Sequence, residues 1–289
     1  MLKYPVHMNT EMQSFLDYLT VEKKHSKNTL AAYESDIRQL STYAKSRGSQ
    51  QTQDIQMNDE VLSGYLNDLR ERKYTISTMA RKIAAAKSFI KFLEARGKVR
   101  ADLSEVLPSP QVTKRTPQSL SITEVKLLLE APAKGTSADA KRDRMMLELL
   151  YATGLRVSEL MGLNVEHVDF SSNVVHCPGT RLHSRYIPIE GSIVNLLREY
   201  LRIARPQLAV NDKENALILN QRGERLTRQG FWQIMRGYAH KSGLGDKVTP
   251  RSLRHSFAVH RLHNGADLQA VKELLGHAHI STTKAYKNL

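Results

Sequence analysis

Four short segments of this 289-residue chain carry side chains able to handle an anion. In Tyr151-Ala152-Thr153-Gly154-Leu155-Arg156-Val157-Ser158-Glu159, a glycine stands two residues before an arginine, and Ser158 is placed to cap a helix. That spacing sets Arg156 at a turn beside a helix N-terminus, where free N–H groups and the positive dipole end favour an anion. Taken alone, Arg156 and Glu159 would equally suit an ordinary surface ion pair. In Thr249-Pro250-Arg251-Ser252-Leu253-Arg254, Pro250 fits the first position of a helix, so Arg251 and Arg254 share a face. Two neighbouring guanidiniums repel unless an anion lies between them, and the alternative is a solvated basic face. His277 follows Gly276, which suits a helix end, and Ser281 is placed to cap the next helix. A lone histidine there is ordinarily a cap or a core residue. His277 and His279 lack the cysteines or carboxylates that would complete a metal site. Tyr286, nine residues beyond His277, gains chemical meaning only where the arginines converge on it.

The elements that must position these residues are mostly helical. Residues 9–107 show four runs of helical spacing with little strand signal: Met12, Phe15, Leu16 and Leu19; Leu30, Tyr33, Ile37 and Leu40; Val61, Leu62, Tyr65, Leu66 and Leu69; and Ile83, Phe89, Ile90 and Leu93. They predict a compact four-helix bundle over 1–107. Residues 108–120 contain three prolines and no periodicity, which predicts an extended linker. A capping box, Ser121-Ile122-Thr123-Glu124, opens a second domain over 121–289. That domain is mostly helical, with one predicted antiparallel hairpin formed by Val174-Val175-His176-Cys177 and Arg185-Tyr186-Ile187-Pro188-Ile189.

Charge narrows the partners. The 43 Lys and Arg against 29 Asp and Glu give a net charge of +14. Residues 1–108 contribute +4 (17 against 13) and residues 109–289 contribute +10 (26 against 16), so the charge is not confined to a tail. A folded chain this basic suits nucleic acid. Residues 70–100 hold ten Lys or Arg and only two acids, Glu71 and Glu94. On the fourth helix, Ala80, Ala84, Lys87 and Lys91 fall on one face; with Arg81 and Lys82 they are the candidate DNA contacts. Small residues beside lysines permit close approach to a phosphate backbone, and such contacts supply affinity without sequence readout. No apolar run approaches the length of a membrane span, and the first residues lack the apolar core of a signal peptide. The single cysteine, Cys177, excludes a disulfide framework and fits a reducing cytoplasmic compartment. Neither a P-loop nor a Gly-x-Gly-x-x-Gly fingerprint is present.

Taken together and in this order, Ala152-Thr153-Gly154-Leu155-Arg156-Val157-Ser158-Glu159-Leu160, Leu253-Arg254-His255-Ser256-Phe257-Ala258, Leu274-Leu275-Gly276-His277, and Ser281-Thr282-Thr283 followed by Tyr286 resemble the tyrosine recombinase (phage integrase) family, with its Xer-type members as the nearest match. Ser26-Lys27-Asn28-Thr29-Leu30-Ala31-Ala32-Tyr33 is similar to the family's core-binding domain. The resemblance spans essentially the whole chain. It implies a mainly α fold, with a helical core-binding domain and a catalytic domain carrying a small antiparallel sheet. It also implies site-specific recombination of duplex DNA by a homo-oligomer, a tetramer on two sites, with room for a regulatory protein partner. On this resemblance Tyr286 is the nucleophile that stores the broken bond as a 3′-phosphotyrosine. Arg156 and Arg254 clamp the phosphate, His277 hydrogen-bonds it, and Glu159 orients an arginine. Arginines then do what a metal does elsewhere, so no cofactor, metal or ATP is implied. Two alternatives stay open: type IB topoisomerase-like relaxation, and a DNA-binding protein with impaired catalysis.

Two positions depart from the family pattern. A histidine is usual at the first place of His-x-x-Arg; here it is Arg251, which can hold phosphate but accepts a proton poorly. The family's hairpin lysine, the general acid for the leaving 5′-oxygen, falls at Thr180, and no lysine occurs in residues 142–212. Arg181 and His183 are the nearby candidates, of which His183 titrates nearer neutrality.

Overall fold

The computed structural model describes residues 8–47, 57–108, 118–179, 184–210 and 213–287. The chain divides into two units, Met1–Lys114 and Arg115–Leu289, each with its own core. Among the described residues no helix is long and apolar enough to cross a membrane.

The N-terminal unit is built on four helices: α1 (Met8–Val21), α2 (Lys27–Arg47), α3 (Asp59–Glu71) and α4 (Ile76–Ala95). Asn58 caps α3 and Thr75 caps α4, each side chain accepting a first-turn N–H. Their apolar stripes meet in a core that includes Phe15, Leu40, Leu62, Leu69, Phe89 and Leu93. The outward stripe of α4 runs Ser77, Arg81, Ala84, Lys91 and Ala95. This is rotated from the expected face, because Ala80 and Lys87 are half-buried and Lys87 donates to the Leu107 carbonyl (3.2 Å).

Lys82 does not belong to that surface, which corrects its place among the candidate DNA contacts. Its side chain is only 8% exposed, and its amine is used internally, on Asp36 (3.0 Å) and Gln39 (2.6 Å), with the Tyr74 ring 5.0 Å away. The reason is helical phase: position 82 precedes the core residue Ile83 and turns toward α2, where the carboxylate of Asp36 waits. Arg81, still half in solvent, pairs with the same carboxylate.

The C-terminal unit begins with the expected capping box, Ser121 and Glu124, at α5 (Ile122–Ala133). Leu120, placed in the linker by the sequence, is part of this unit's core, and its N–H donates to Ser256 Oγ (2.8 Å). Then come α6 (Ala138–Thr153) and the short α7 (Val157–Met161). The predicted hairpin is present but belongs to a three-stranded antiparallel sheet. β1 (Val168–Asp169) pairs with β2 (Val174–Cys177), which pairs with β3 (Arg185–Pro188) in the register Cys177 to Arg185 and Val175 to Ile187. α8 (Gly191–Glu199) runs through a π-helical turn (Tyr200–Ala204) into α9 (Arg205–Leu208). The chain then adds α10 (Arg228–Lys241), α11 (Pro250–His263), α12 (Leu268–Leu275) and α13 (Ile280–Lys284).

The Lys82–Asp36 pair generates a stability prediction. Removing one partner of a buried ion pair strands the other charge, at a cost of about 3–5 kcal/mol, whereas replacing both by apolar groups is nearly neutral. Asp36→Ala is therefore expected to lower the urea midpoint of the N-terminal unit far more than the double change Asp36→Leu with Lys82→Met.

Candidate active site

Two left-handed glycines shape the site. α6 ends at Thr153, and Gly154 (φ +59°) turns the chain into α7. A Cβ on Gly154 would stand 2.3 Å from the Phe257 ring of α11, so only glycine allows the two segments this close. α12 ends at Leu275, and Gly276 (φ +62°) terminates it; a Cβ there would meet the Arg185 guanidinium at 3.0 Å. Pro250 opens α11 as expected, with Thr249 capping. Two expected caps differ. Ser158 lies inside α7, whose cap position is Arg156, and Ser281 lies inside α13, whose cap position is His279.

Arg156 opens α7, and three residues later Glu159 folds back onto it. The carboxylate accepts from the Arg156 backbone N–H (2.7 Å) and from Arg156 Nη1 (2.8 Å). It also receives both Nη groups of Arg185, at 3.0 and 2.9 Å, as a fork, and Arg254 Nη1 lies 3.8 Å away. Burial alone would raise the Glu159 pKa. The hydrogen bonds and charges of Arg185 and Arg156 outweigh it and hold the group at about 2, so it is a carboxylate at neutral pH.

The same three arginines share a second acceptor. The last carbonyls of α12 and its capping glycine have no intrahelical partner and lie at the negative end of the helix. The Leu274 carbonyl accepts from Arg185 Nε (2.7 Å), the Leu275 carbonyl from Arg254 Nη2 (2.6 Å) and the Gly276 carbonyl from Arg156 Nη2 (3.3 Å). Arg254 also donates to the Gly154 carbonyl (2.6 Å). Burial and the charges of Arg156 and Arg185, partly offset by Glu159, bring the Arg254 pKa down to about 10, which leaves it protonated at neutral pH.

His277 follows directly. Arg254 Nη2 donates to its Nε2 (3.2 Å), so Nδ1 carries the proton and donates to the buried Thr283 Oγ1 (3.0 Å). Burial, reinforced by Arg254, Arg156 and Arg185, lowers its pKa to about 4. Tyr286, only 5% exposed, stacks on His277 (centroids 6.2 Å, planes 22° apart) and tilts against His255 (5.2 Å). Burial raises its pKa, while Arg254, Arg251 and Arg156 pull the other way.

The structure thus gathers Arg156, Glu159, Arg254, His277 and Tyr286. Arg251 is exposed where Arg254 is buried, and it reaches the site through His255: its Nε donates to His255 Nε2 (3.3 Å), and that ring lies against Tyr286. Burial and the Arg251 charge lower the His255 pKa to about 4; the Gln118 backbone pulls weakly upward, but Nδ1 makes no well-formed hydrogen bond. Thr180, Arg181 and His183 lie outside the described residues. Sequence reasoning missed Arg185 and His255. A signal for Arg185 was present: strand alternation puts it on the same face as the buried Ile187, and a charge on the core face needs a partner.

These histidines set a pH dependence. In the unfolded chain they ionise near 6.5, and in the folded chain near 4. The unfolded state therefore binds protons first as pH falls, so their stabilisation is complete above about pH 6.5 and is lost progressively toward pH 4. Thermal melts at pH 7, 6 and 5 are expected to show a falling Tm, with a smaller fall in the variant carrying both His255→Gln and His277→Gln.

Comparison with known proteins supports the same reading. The family model described as the phage integrase family matches residues 118–289, and the one described as phage integrase, N-terminal SAM-like domain matches residues 12–97. The chain is 48% identical over 284 residues to tyrosine recombinase XerC of Roseiflexus castenholzii, covering 98% of this chain and 90% of that protein. It is 38% identical over 290 residues to tyrosine recombinase XerD of Oceanobacillus iheyensis, covering 100% and 95%. Among solved structures, the XerA recombinase aligns with a TM-score of 0.54 at 26% identity, covering 97% of this chain and 94% of that one. The fold also matches the XerH site-specific recombinase bound to its difH substrate before cleavage, with a TM-score of 0.73 at 18% identity, covering 100% and 95%. The chain belongs to the phage integrase family, as a tyrosine recombinase of the Xer type.

Proposed function

We propose that this recombinase cleaves and rejoins duplex DNA at specific sites through a 3′-phosphotyrosine on Tyr286. The observation that carries the reading is the convergence of Arg156, Arg254, His277 and Tyr286 on one frame, the Glu159 carboxylate and the end of α12. Tyr286 loses its phenol proton to solvent as its oxygen attacks the scissile phosphorus, the bond to the 5′-oxygen breaks, and that oxygen takes a proton and leaves as a hydroxyl. Attack by a 5′-hydroxyl on the phosphotyrosine reverses the step and reseals a strand. One phosphoester replaces another, so no ATP is consumed.

Guanidiniums suit the pentavalent transition state because they are planar, permanently charged and already oriented. Burial and the arginine charges both hold the His277 pKa down; a bound phosphate offsets the charges, which favours a proton on Nε2 and a hydrogen bond from it to a phosphate oxygen. Arg251 cannot act as a base; it favours the Tyr286 phenolate by charge, as Arg254 and Arg156 do. Arg181 and His183 remain the candidates for protonating the leaving oxygen.

The proposed organisation is a core-binding domain over 1–107, with Arg81 and Lys91 toward the phosphate backbone, a linker over 108–119 and a catalytic domain over 120–289. The acting species is a tetramer on two DNA sites in the cytoplasm, open to a regulatory protein. Chromosome dimer resolution and mobile-element integration both use this chemistry, and sequencing the cleaved junction separates them.

On a nicked suicide duplex, the wild-type chain is expected to form a covalent adduct in the presence of EDTA. Tyr286→Phe is expected to keep DNA affinity and lose the adduct completely. An adduct that persists in Tyr286→Phe would move the nucleophile elsewhere, and loss of wild-type cleavage in EDTA, restored by magnesium, would refute the arginine-only clamp. Relaxation of supercoils without pairing of two sites would favour the topoisomerase alternative.

A further inference from the structure

Arg185 is as well buried as Arg254: their side chains are 11% and 9% exposed, against 46% for Arg156. Its donors are almost all committed. Nε goes to the Leu274 carbonyl, Nη1 to Glu159 Oε1 and Cys177 Sγ, and Nη2 to Glu159 Oε2. Little is left with which to grip a phosphate, so any part it plays in the reaction passes through Glu159.

The charge count gives that part a meaning. Arg156, Arg185 and Arg254 bring three positive charges to one carboxylate, for a sum of +2. A phosphodiester carries one negative charge, and attack by a phenolate brings its pentavalent form to two. Without Arg185 the sum falls to +1, and the two carboxylate lone pairs it vacates would draw Arg156 and Arg254 onto Glu159. We propose that Arg185 is an electrostatic positioning residue: its fork neutralises Glu159 and so leaves the charges of Arg156 and Arg254 available to the phosphate. This rests on the recombinase chemistry proposed above. The competing role is mechanical. Arg185 opens β3, and its bond to the Leu274 carbonyl would then serve only to anchor the hairpin against α12.

Single-turnover cleavage of a nicked suicide duplex by the full chain separates the two roles. Arg185→Met is expected to slow adduct formation by about 10²-fold, as loss of a pre-organised charge does, while a gel shift at fixed salt shows DNA affinity nearly unchanged. Adding Glu159→Gln to Arg185→Met returns the sum to +2 and is expected to recover about tenfold of the loss, whereas a lost hairpin anchor on the Leu274 carbonyl would not be restored by it. A methylphosphonate at the scissile position, which has one negative charge fewer, is expected to shrink the Arg185→Met defect as well. If Glu159→Gln deepens the defect, or the methylphosphonate leaves it unchanged, the electrostatic role is overturned and the hairpin anchor stands. If Arg185→Met melts early, Arg185→Lys keeps the charge without the fork: cleavage within about tenfold of wild type supports the proposal, and full loss overturns it. An absent adduct in the wild-type chain would bring down the recombinase chemistry itself, whereas a wild-type adduct beside an unimpaired Arg185→Met overturns this inference alone.

Discussion

Three guanidiniums held within reach of one another repel, and the C-terminal unit is arranged to overcome that repulsion. One carboxylate, Glu159, supplies the opposite charge, and the end of α12 supplies three successive carbonyls, one for each arginine. Burial and the mutual repulsion together show in Arg254, whose proton is held less tightly than in water, and in His277, which burial and the same three charges keep neutral. Glu159 is the mirror image: buried, yet ionised over the whole neutral range. Neither acceptor would suffice alone. A carboxylate has lone pairs for four good hydrogen bonds, and Arg156 and Arg185 fill all four, so the buried Arg254 depends on the helix end and on Gly154.

Elements distant in sequence are joined through this cluster. α7 brings Arg156 and Glu159, β3 brings Arg185, α11 brings Arg254, and the chain after α12 brings His277 and Tyr286. His277 links the charged cluster to the apolar one. One ring nitrogen accepts from Arg254 and the other holds Thr283, one turn before Tyr286, whose ring packs with Phe257, Val271 and Leu275. The N-terminal unit solves a smaller version of the same problem, with Asp36 between Arg81 and Lys82.

The helical architecture was legible because apolar spacing and local stop signals act within a few residues: the capping box at Ser121, Pro250 at the start of α11, and the two glycines. The four site segments were legible for the same reason. What escaped depends on partners far away in sequence. Lys82 looked like its neighbours on the α4 wheel until Asp36, 46 residues earlier, withdrew it from the surface. Arg185 looked like a strand terminus, and its partner Glu159 comes from another element. Ser158 had the right chemistry for a cap, but Glu159 reaches back to the Arg156 N–H and takes that role. The strand that joins the hairpin, β1, is only two residues long, too short for any periodicity to announce.

The two glycines bear on how such a site can change over generations. An ion pair can drift by compensating exchange, with a lost charge at one position made good at another. At Gly154 and Gly276 no such exchange exists: the backbone is left-handed, and the space a side chain would need is already filled by Phe257 or Arg185. Each glycine also contributes its own carbonyl to an arginine, so displacing either backbone removes a turn and a hydrogen-bond acceptor together. The least replaceable parts of this arginine-rich site are therefore two stretches of bare main chain.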